Sequence, residues 1–103
     1  MSAGTVILVE GYFDCLRVHQ AGFSWVVALM GSSLSAAQET ALLGHFDRVT
    51  VMLDGDAAGR AASQAIASRL SSRCLAEVIR VPEGSQPDQL SVSAIQGLLG
   101  GVK

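Results

Sequence analysis

The sequence predicts one α/β domain with a central four-stranded parallel sheet flanked by helices, and three observations support this class. Short apolar runs, typical of buried parallel strands, alternate with longer segments whose apolar residues recur at helical spacing. The length of 103 residues is near the usual size of a single domain. Half of the residues are hydrophobic, as expected for one compact core. We therefore expect residues 1–103 to form one domain, with its motifs between about residues 5 and 99.

Four apolar runs are the predicted strands, and these runs are Val6–Val9, Trp25–Met30, Val49–Leu53 and Leu75–Val81. The first run is uninterrupted, which is typical of a strand covered on both faces. The last contains Glu77 and Arg80, which interrupt its apolar pattern. Because each run precedes a predicted helix, right-handed crossovers would make all four strands parallel.

The predicted helices follow these strands and span Tyr12–Gln20, Ser35–Leu43, Ala58–Ser71 and Val92–Leu99. Ser35 and Gln38 form a capping box at the start of the second helix, and Gly44 is predicted to end it. The third helix has one apolar stripe, formed by Ala58, Ala62, Ala65, Ile66 and Leu70. We expect this stripe to pack on the sheet while Arg60 and Arg69 face outward.

Charge and cysteine content exclude several classes of protein. The net charge is −2 and the single lysine is Lys103, so the domain lacks the basic patch that dominates nucleic-acid affinity. Cys15 and Cys74 show no Cys-x-x-Cys spacing, so we expect two buried thiols rather than a zinc or redox site. No apolar run approaches the roughly 18 to 20 residues needed to span a bilayer, and the first residues do not resemble a signal peptide. We therefore expect a cytoplasmic protein without membrane partners.

Carboxylates gather at the predicted strand ends. Asp54 and Asp56 flank Gly55 directly after the third strand, and Glu10 follows the first. The carboxyl ends of parallel strands share one edge of a sheet, where like charges repel unless a cation intervenes. Mg²⁺ typically binds one or two protein carboxylates and leaves its other positions to water and phosphate. The sequence therefore predicts a Mg²⁺ or Mn²⁺ site with phosphate chemistry at this edge. Five of the nine acidic residues belong to the predicted cluster, namely Glu10, Asp14, Asp54, Asp56 and Asp88.

Structural explanations compete with the functional one at several of these positions. Asp54 before a glycine would also suit a helix cap or a turn. Asp14 lies in a first helical turn, where the helix dipole favours an acid, so we place it behind the metal ligands. Asp88 follows a proline, as is common at a helix start. Arg60 is either a phosphate contact or a solvated helix residue, and the sequence leaves both alternatives open.

Four strings in this sequence resemble the Toprim domain of the bacterial DnaG-type primase family. They are Val9–Asp14 (Val-Glu-Gly-Tyr-Phe-Asp), Leu29–Ser32 (Leu-Met-Gly-Ser), Asp54–Arg60 (Asp-Gly-Asp-Ala-Ala-Gly-Arg) and Pro82–Gly84 with Pro87–Leu90. The first and third strings are specific to that branch. The resemblance implies a Toprim fold, which is Rossmann-like, and a Mg²⁺- or Mn²⁺-dependent site for nucleotidyl or phosphoryl transfer.

The resemblance also implies roles for individual residues. Glu10 would be a general acid or base or would help to hold metal, and Asp54 and Asp56 would complete the catalytic set. The implied metal ligands are Glu10, Asp54, Asp56 and Asp88. The residues expected to support them or to contact phosphate are Asp14, Gly11, Gly55, Gly59 and Arg60. Gln86 stands where the family commonly has an acid, which leaves the number of metal ions open.

By this resemblance the chain is similar to the catalytic core of an enzyme that makes RNA primers in DNA replication. The implied partners are a single-stranded DNA template, a primer and nucleoside triphosphates, bound weakly by this domain alone, together with other primase domains needed for activity. A Toprim nuclease or a non-catalytic nucleic-acid-binding Toprim module is the alternative, because it would share the metal site. A phospho-receiver module is excluded, because the sequence lacks the acid pair after its first strand and the lysine after a fifth strand.

Overall fold

The structure is a computed structural model that describes residues 4–31 and 33–100. Four strands, β1 to β4, span Thr5–Val9, Val26–Ala28, Arg48–Val51 and Leu75–Val78. Four α-helices, α1 to α4, span Tyr12–Gln20, Ala36–His45, Ala57–Leu70 and Val92–Leu98. A single 3₁₀ turn, Pro87–Gln89, precedes α4. The predicted order of strands and helices is confirmed. Ser32, at the end of one motif, and Lys103 lie outside the described residues.

All neighbouring strands are parallel, and the sheet order is β2-β1-β3-β4. Strands β1 and β3 are therefore the central pair, with Leu8 opposite Val51 in register. The residues that follow them, Glu10 and Asp54, are consequently brought to the same edge of the sheet. This confirms the predicted four-stranded parallel sheet and the edge on which its carboxylates were expected.

The core has two layers, one on each face of the sheet. Val6 and Leu8 of β1 pack with residues of β3, α2 and α3, whereas Ile7 and Val9 pack with residues of α1 and α4. All four of these side chains are buried. Coverage on both faces explains why the β1 run is apolar without interruption.

Three predicted strands are shorter than their apolar runs. Strand β2 ends at Ala28, because Met30 adopts a positive φ of 61° that turns the chain out of the sheet. The chain leaves the ladder after Val51 in β3 and after Val78 in β4. The Met52 N–H still donates to the Leu8 carbonyl oxygen at 2.8 Å, and both Met52 and Leu53 are fully buried, so their apolar character reflects the core.

Helix α2 passes through Gly44 and ends at His45, so the predicted stop at Gly44 is wrong. Gly44 is exposed, and the Phe46 N–H donates to the Leu42 carbonyl oxygen at 2.8 Å to close the last turn. A single exposed glycine costs a helix only about 1 kcal/mol, which the neighbouring contacts offset here. The predicted capping box at its start is confirmed, since the Ser35 and Gln38 side chains each bond to the other residue's backbone N–H.

The buried face of α3 differs from the predicted stripe. Ala58 and Ala65 are exposed, whereas the buried residues are Gly59, Ser63, Ile66 and Leu70. The Ser63 hydroxyl donates to the Gly59 carbonyl oxygen at 2.8 Å, so this polar side chain is satisfied inside the helix. Ile66 and Leu70 are therefore buried as predicted, whereas the N-terminal half of the helix packs through Gly59 and Ser63, which a search for apolar spacing does not detect.

Both cysteines are half-buried, so the prediction of two buried thiols is wrong. The Cys15 thiol donates to the Val26 carbonyl oxygen at 3.6 Å. Partial burial raises the pKa of both thiols. Within residues 4–31 and 33–100, none of the helices has the length and apolar character needed to cross a bilayer.

Candidate functional site

An open cleft of about 470 Å³ lies at the edge where β1 and β3 end. The residues that line it are Glu10, Gly11, Asp14, Met30, Gly31, Asp54 and Gln86. Three of them are carboxylates, and none of these lining residues is basic. The cleft thus brings together four of the predicted site residues, Glu10, Gly11, Asp14 and Asp54. The other predicted site residues do not line it, and they are Gly55, Asp56, Gly59, Arg60 and Asp88.

The β3–α3 turn depends on Gly55. Its N–H donates to the Ser85 carbonyl oxygen at 2.8 Å, and its own carbonyl accepts from the Gly84 N–H at 2.7 Å. A Cβ atom at this position would overlap the Pro82 carbonyl oxygen and lie 2.7 Å from that of Val81. Gly55 therefore allows the loop after β4 to pack directly against the β3–α3 turn, which places that loop beside Asp54.

Gly59 has a similar packing role one helical turn later. A Cβ atom there would overlap the Asp54 carbonyl oxygen and lie 3.1 Å from Asp56 Oδ1. The Gly59 N–H donates to Asp56 Oδ1 at 2.6 Å, which makes Asp56 the N-cap of α3. Asp56 is exposed, whereas Asp54 is half-buried. The helix cap is thus Asp56, and the Asp54 side chain is left to face the cleft.

Asp14 connects the two ends of the chain within the site. It is only 5% exposed, its Oδ2 accepts from the Gly11 N–H at 3.1 Å, and its Oδ1 accepts from the Asp88 N–H at 2.9 Å. Burial raises the pKa of Asp14, although the two backbone hydrogen bonds oppose that shift. Because both oxygens accept from backbone N–H groups, Asp14 holds Gly11 and Asp88 in place.

Asp54 and Asp88 each have a buried oxygen, Oδ1, without a hydrogen-bond partner among the described residues. Burial raises the pKa of Asp54 from its ordinary value of 3.8 to about 7. A hydrogen bond with the Glu10 side chain and the charges of Glu10, Asp56 and Asp88 act in the same direction. Buried acceptors without partners are costly, so this arrangement calls for a cation or a proton.

The chemistry of this donor set fits Mg²⁺ or Mn²⁺, because Glu10, Asp54 and Asp88 offer only hard carboxylate oxygens. A bound cation would also give a partner to the buried Oδ1 atoms of Asp54 and Asp88, which have none among the described residues. In the described part of the chain, however, no three His, Cys, Asp or Glu side chains are grouped closely enough to hold a metal ion. Water and phosphate oxygens would therefore have to supply the remaining ligands of a bound cation.

Arg60 and Gln86 differ in their relation to the cleft. Arg60 forms an ion pair with Glu83 and does not line the cleft, so it is neither a fully solvated residue nor a cleft residue. Gln86 does line the cleft, and its backbone N–H donates to the Gln89 side chain at 2.9 Å. The neutral amide of Gln86 thus occupies a position among the carboxylates.

Met30 is a cleft residue that sequence reasoning missed. It lies in the left-handed region with φ of 61°, and 73% of it is exposed. Its N–H donates to the Glu10 carbonyl oxygen at 2.7 Å, which fixes the loop after β2 against the end of β1. Such a conformation is rare outside glycine and is often found at functional sites. The sequence signal was misleading, because the neighbouring Gly31 is the residue expected to adopt positive φ.

Comparison with known proteins places this geometry in a family. The model of the family described as Toprim-like matches residues 7–91. The DNA primase of Clostridium acetobutylicum is 36% identical over 86 residues, which cover 82% of this chain and 14% of that protein. The DNA primase of Aquifex aeolicus is 41% identical over 87 residues, which cover 84% of this chain and 18% of that protein.

Solved structures give the same result. The zinc-binding and RNA polymerase domains of the Aquifex aeolicus primase match with a TM-score of 0.80 and 35% identity, over 97% of this chain and 26% of that one. A DnaG primase catalytic domain bound to single-stranded DNA matches with a TM-score of 0.78 and 25% identity, over 98% of this chain and 34% of that one. The chain therefore spans only a small part of the primases that it resembles. It belongs to the Toprim-like family and is similar to the Toprim part of bacterial DNA primases.

Proposed function

We propose that this chain is the metal-dependent nucleotidyl-transfer domain of a DNA primase-type enzyme, which synthesises RNA primers for DNA replication. One observation supports it most directly: Asp54, with a buried oxygen that has no hydrogen-bond partner among the described residues, interacts with Glu10 where the two central strands end. The similarity to DNA primases supports the choice of reaction. The cytoplasmic location predicted from the sequence belongs to the same proposal.

The position of each carboxylate suggests a different role in binding the cation. Glu10 and Asp54 would hold a divalent cation, which Asp88 would contact through a bound water, while Asp56 caps α3 and adds charge nearby. A bound Mg²⁺ or Mn²⁺ supplies neutralisation and polarisation of the phosphate oxygens. Since the pKa of Asp54 is about 7, this carboxyl is partly protonated at neutral pH without metal. Cation binding would therefore release a proton from Asp54.

Glu10 is proposed to move a proton or to position a cation during transfer, because it is half-buried at the end of β1 and interacts with Asp54. Asp14 would hold both the Glu10–Gly11 turn and Asp88 in place through its two backbone hydrogen bonds. The neutral Gln86 removes one negative charge from the cleft, so we propose fewer bound cations than a cleft with an acid there would hold.

The proposed partners are a single-stranded DNA template, a primer and nucleoside triphosphates. One structural neighbour is a DnaG catalytic domain bound to single-stranded DNA. The cleft lining contains no basic residue among those that the structure describes, so other primase domains would have to supply most of the charge that binds phosphate backbones. A Toprim nuclease or a non-catalytic nucleic-acid-binding module would share the same cleft.

Nucleotide incorporation on a single-stranded template tests the proposal, with the chain joined to template-binding primase domains. Glu10→Gln keeps the shape of the side chain and removes its charge, so we expect synthesis to fall by a factor of about 10² or more. The matched control is Glu77→Gln, because Glu77 is exposed on β4 and does not line the cleft. Parent-level synthesis by Glu10→Gln would contradict a catalytic role for Glu10. Hydrolysis of the template without incorporation by the parent would favour the nuclease.

A further inference from the structure

A second cavity, of about 200 Å³, shares Asp54 with the cleft but none of the other cleft residues. Its walls come from three segments, the β3–α3 turn at Leu53–Gly55, the first two turns of α3, and Val78–Val81 at and after the end of β4. Because Asp54 borders both spaces, a ligand bound in this cavity would lie next to the carboxylate cleft.

The lining of this cavity carries two arginines and one carboxylate, Asp54, so its net charge is opposite in sign to that of the cleft lining. Arg60 and Arg80 line the cavity, and they are two of the seven basic residues in the chain. No carboxylate of the described residues lies within 4.0 Å of the Arg80 side-chain nitrogens. Arg60 pairs with Glu83, whose side chain is 77% exposed. One arginine thus has no acidic partner in the described part of the chain, and the other has a partner at the surface.

The shape and lining of the cavity favour a small, highly charged anion. Pockets for whole organic ligands usually measure about 300–1,000 Å³, so this cavity is too small for a complete nucleotide. Each guanidinium group can donate two parallel hydrogen bonds to phosphate oxygens. Leu53, Val78 and Val81 form an apolar wall, which lowers the local dielectric constant and strengthens the attraction between arginine and phosphate.

We propose that this cavity binds a diphosphate group between Arg60 and Arg80. The group is either free inorganic diphosphate or the terminal diphosphate of a nucleoside triphosphate. The choice of diphosphate rests on the proposed function, since nucleotidyl transfer from a nucleoside triphosphate releases diphosphate. The existence of an anion site rests only on the cavity and its two arginines.

Glu83 has a defined part in this proposal. Its carboxylate occupies Arg60, so a bound diphosphate has to replace it as the partner of that guanidinium. Because Glu83 is exposed, its displacement into water costs little. Glu83→Gln should therefore tighten diphosphate binding, whereas a purely structural ion pair would give no such gain.

Calorimetric titration of the full chain with inorganic diphosphate in the presence of EDTA tests the site. EDTA removes the divalent cations that could bridge diphosphate to the carboxylates of the cleft, so binding under these conditions depends on the arginines and not on bound metal. Because Asp54 borders both spaces, the arginine variants assign that binding to the second cavity. We expect saturable binding that Arg60→Met and Arg80→Met each weaken at least about tenfold, and that Glu83→Gln tightens about threefold. Arg48→Met and Glu77→Gln are the matched controls, because neither residue lines the cavity, and both should bind like the parent.

Further ligands identify the source of the anion. Inorganic phosphate should bind more weakly than diphosphate, and a nucleoside triphosphate that binds more tightly than diphosphate would assign the site to the nucleotide. Equal binding of the two would assign it to the released product. The inference is wrong if diphosphate does not bind in EDTA, if Arg80→Met binds like the parent while thermal melting shows both to be folded, or if a single-stranded oligonucleotide displaces diphosphate at equal phosphate concentration. These results are independent of the incorporation assay, whose failure would contradict only the proposed reaction.

Discussion

Two poorly solvated carboxylates, Glu39 and Asp54, have neighbours of opposite charge in this fold. Glu39, on α2, accepts from Arg69 Nε at 2.5 Å and has Arg73 Nη1 at 3.6 Å. Arg69 also donates to the Leu34 carbonyl oxygen at 2.6 Å, so the ion pair holds α3 against the start of α2. Asp54 has no such partner in the described part of the chain, and its nearest charges are other carboxylates.

The difference separates an acid whose desolvation is offset within the fold from one whose desolvation is not. Desolvation penalises both carboxylates, and the Glu39 cluster offsets that penalty with arginines within the fold. At Asp54 the penalty remains, and its pKa rises to about 7. A desolvation penalty that the fold itself does not offset is typical of functional sites, where a bound ligand offsets it. Three substitutions test whether the two regions differ as described.

The largest effect on stability is expected at Gly55, which packs the loop after β4 against the turn that carries Asp54. Gly55→Ala would place a methyl group against the Val81 and Pro82 carbonyl oxygens, so we expect a loss of more than about 3 kcal/mol in unfolding free energy. Gly97→Ala is the control, because no atom lies within 4 Å of a Cβ at that position in α4. That variant should gain roughly 0.5–1 kcal/mol, as an alanine does in a helix. Equal stability of both variants in urea unfolding would contradict the close packing at Gly55.

A smaller loss is expected in the compensated region. Arg69→Met removes the closer partner of Glu39 and leaves Arg73 at 3.6 Å, so we expect a loss of roughly 2 kcal/mol. The double variant Glu39→Gln with Arg69→Met should recover part of that loss, because no buried charge is then left unpaired and the 63% exposed Arg73 side chain stays solvated. A double-mutant cycle measured by chemical denaturation gives the coupling. A coupling near zero would mean that Glu39 is not compensated by Arg69.

The smallest effect is expected at Asp54 and has the opposite sign. Its folded pKa of about 7 exceeds its ordinary value of 3.8, so the folded state binds more protons and loses stability as pH rises from about 4 to about 7. Asp54→Asn should lessen this loss and raise metal-free stability at pH 7 by roughly 1 kcal/mol, a figure reduced for solvent screening. Some pH dependence should remain, since burial also raises the pKa of Asp14.

Melting curves at several pH values, with and without Mg²⁺, measure both aspects of that prediction. Mg²⁺ that binds only the folded chain should raise the melting temperature of the parent, and Asp54→Asn should lack this increase. Asp47→Asn is the matched control, because Asp47 is an exposed aspartate just before β3, at the other end of that strand. A parent chain whose melting temperature does not respond to Mg²⁺ would contradict the electrostatic argument for a cation at this edge.

The sequence predicts the sheet well, and it also predicts that Glu10 and Asp54 lie at one edge, because both follow from short-range patterns. Apolar runs identify the strands, and parallel topology alone brings the residues after β1 and β3 together. Of the details that were missed, one is local and others depend on contacts between distant residues. Asp56 rather than Asp54 caps α3, because the Gly59 N–H donates to Asp56 Oδ1. A hydrophobicity pattern does not reveal that α3 packs through Gly59 and Ser63. Residue spacing does not reveal that Arg69 forms an ion pair with Glu39, thirty residues earlier in the chain.

The two hydrogen bonds of Asp14 have a consequence for the order in which the site is assembled. Asp88 is 74 residues further along the chain, and its N–H binds the same carboxylate that holds the Gly11 N–H. During synthesis on a ribosome, the β1–α1 turn is complete long before Asp88 has been added. Until the late segment docks, Asp14 Oδ1 lacks its partner and Asp88 has no fixed place beside Asp54. A nascent or partly unfolded chain therefore lacks Asp88 beside Asp54, and these carboxylates come together only after the segment that follows β4 has docked.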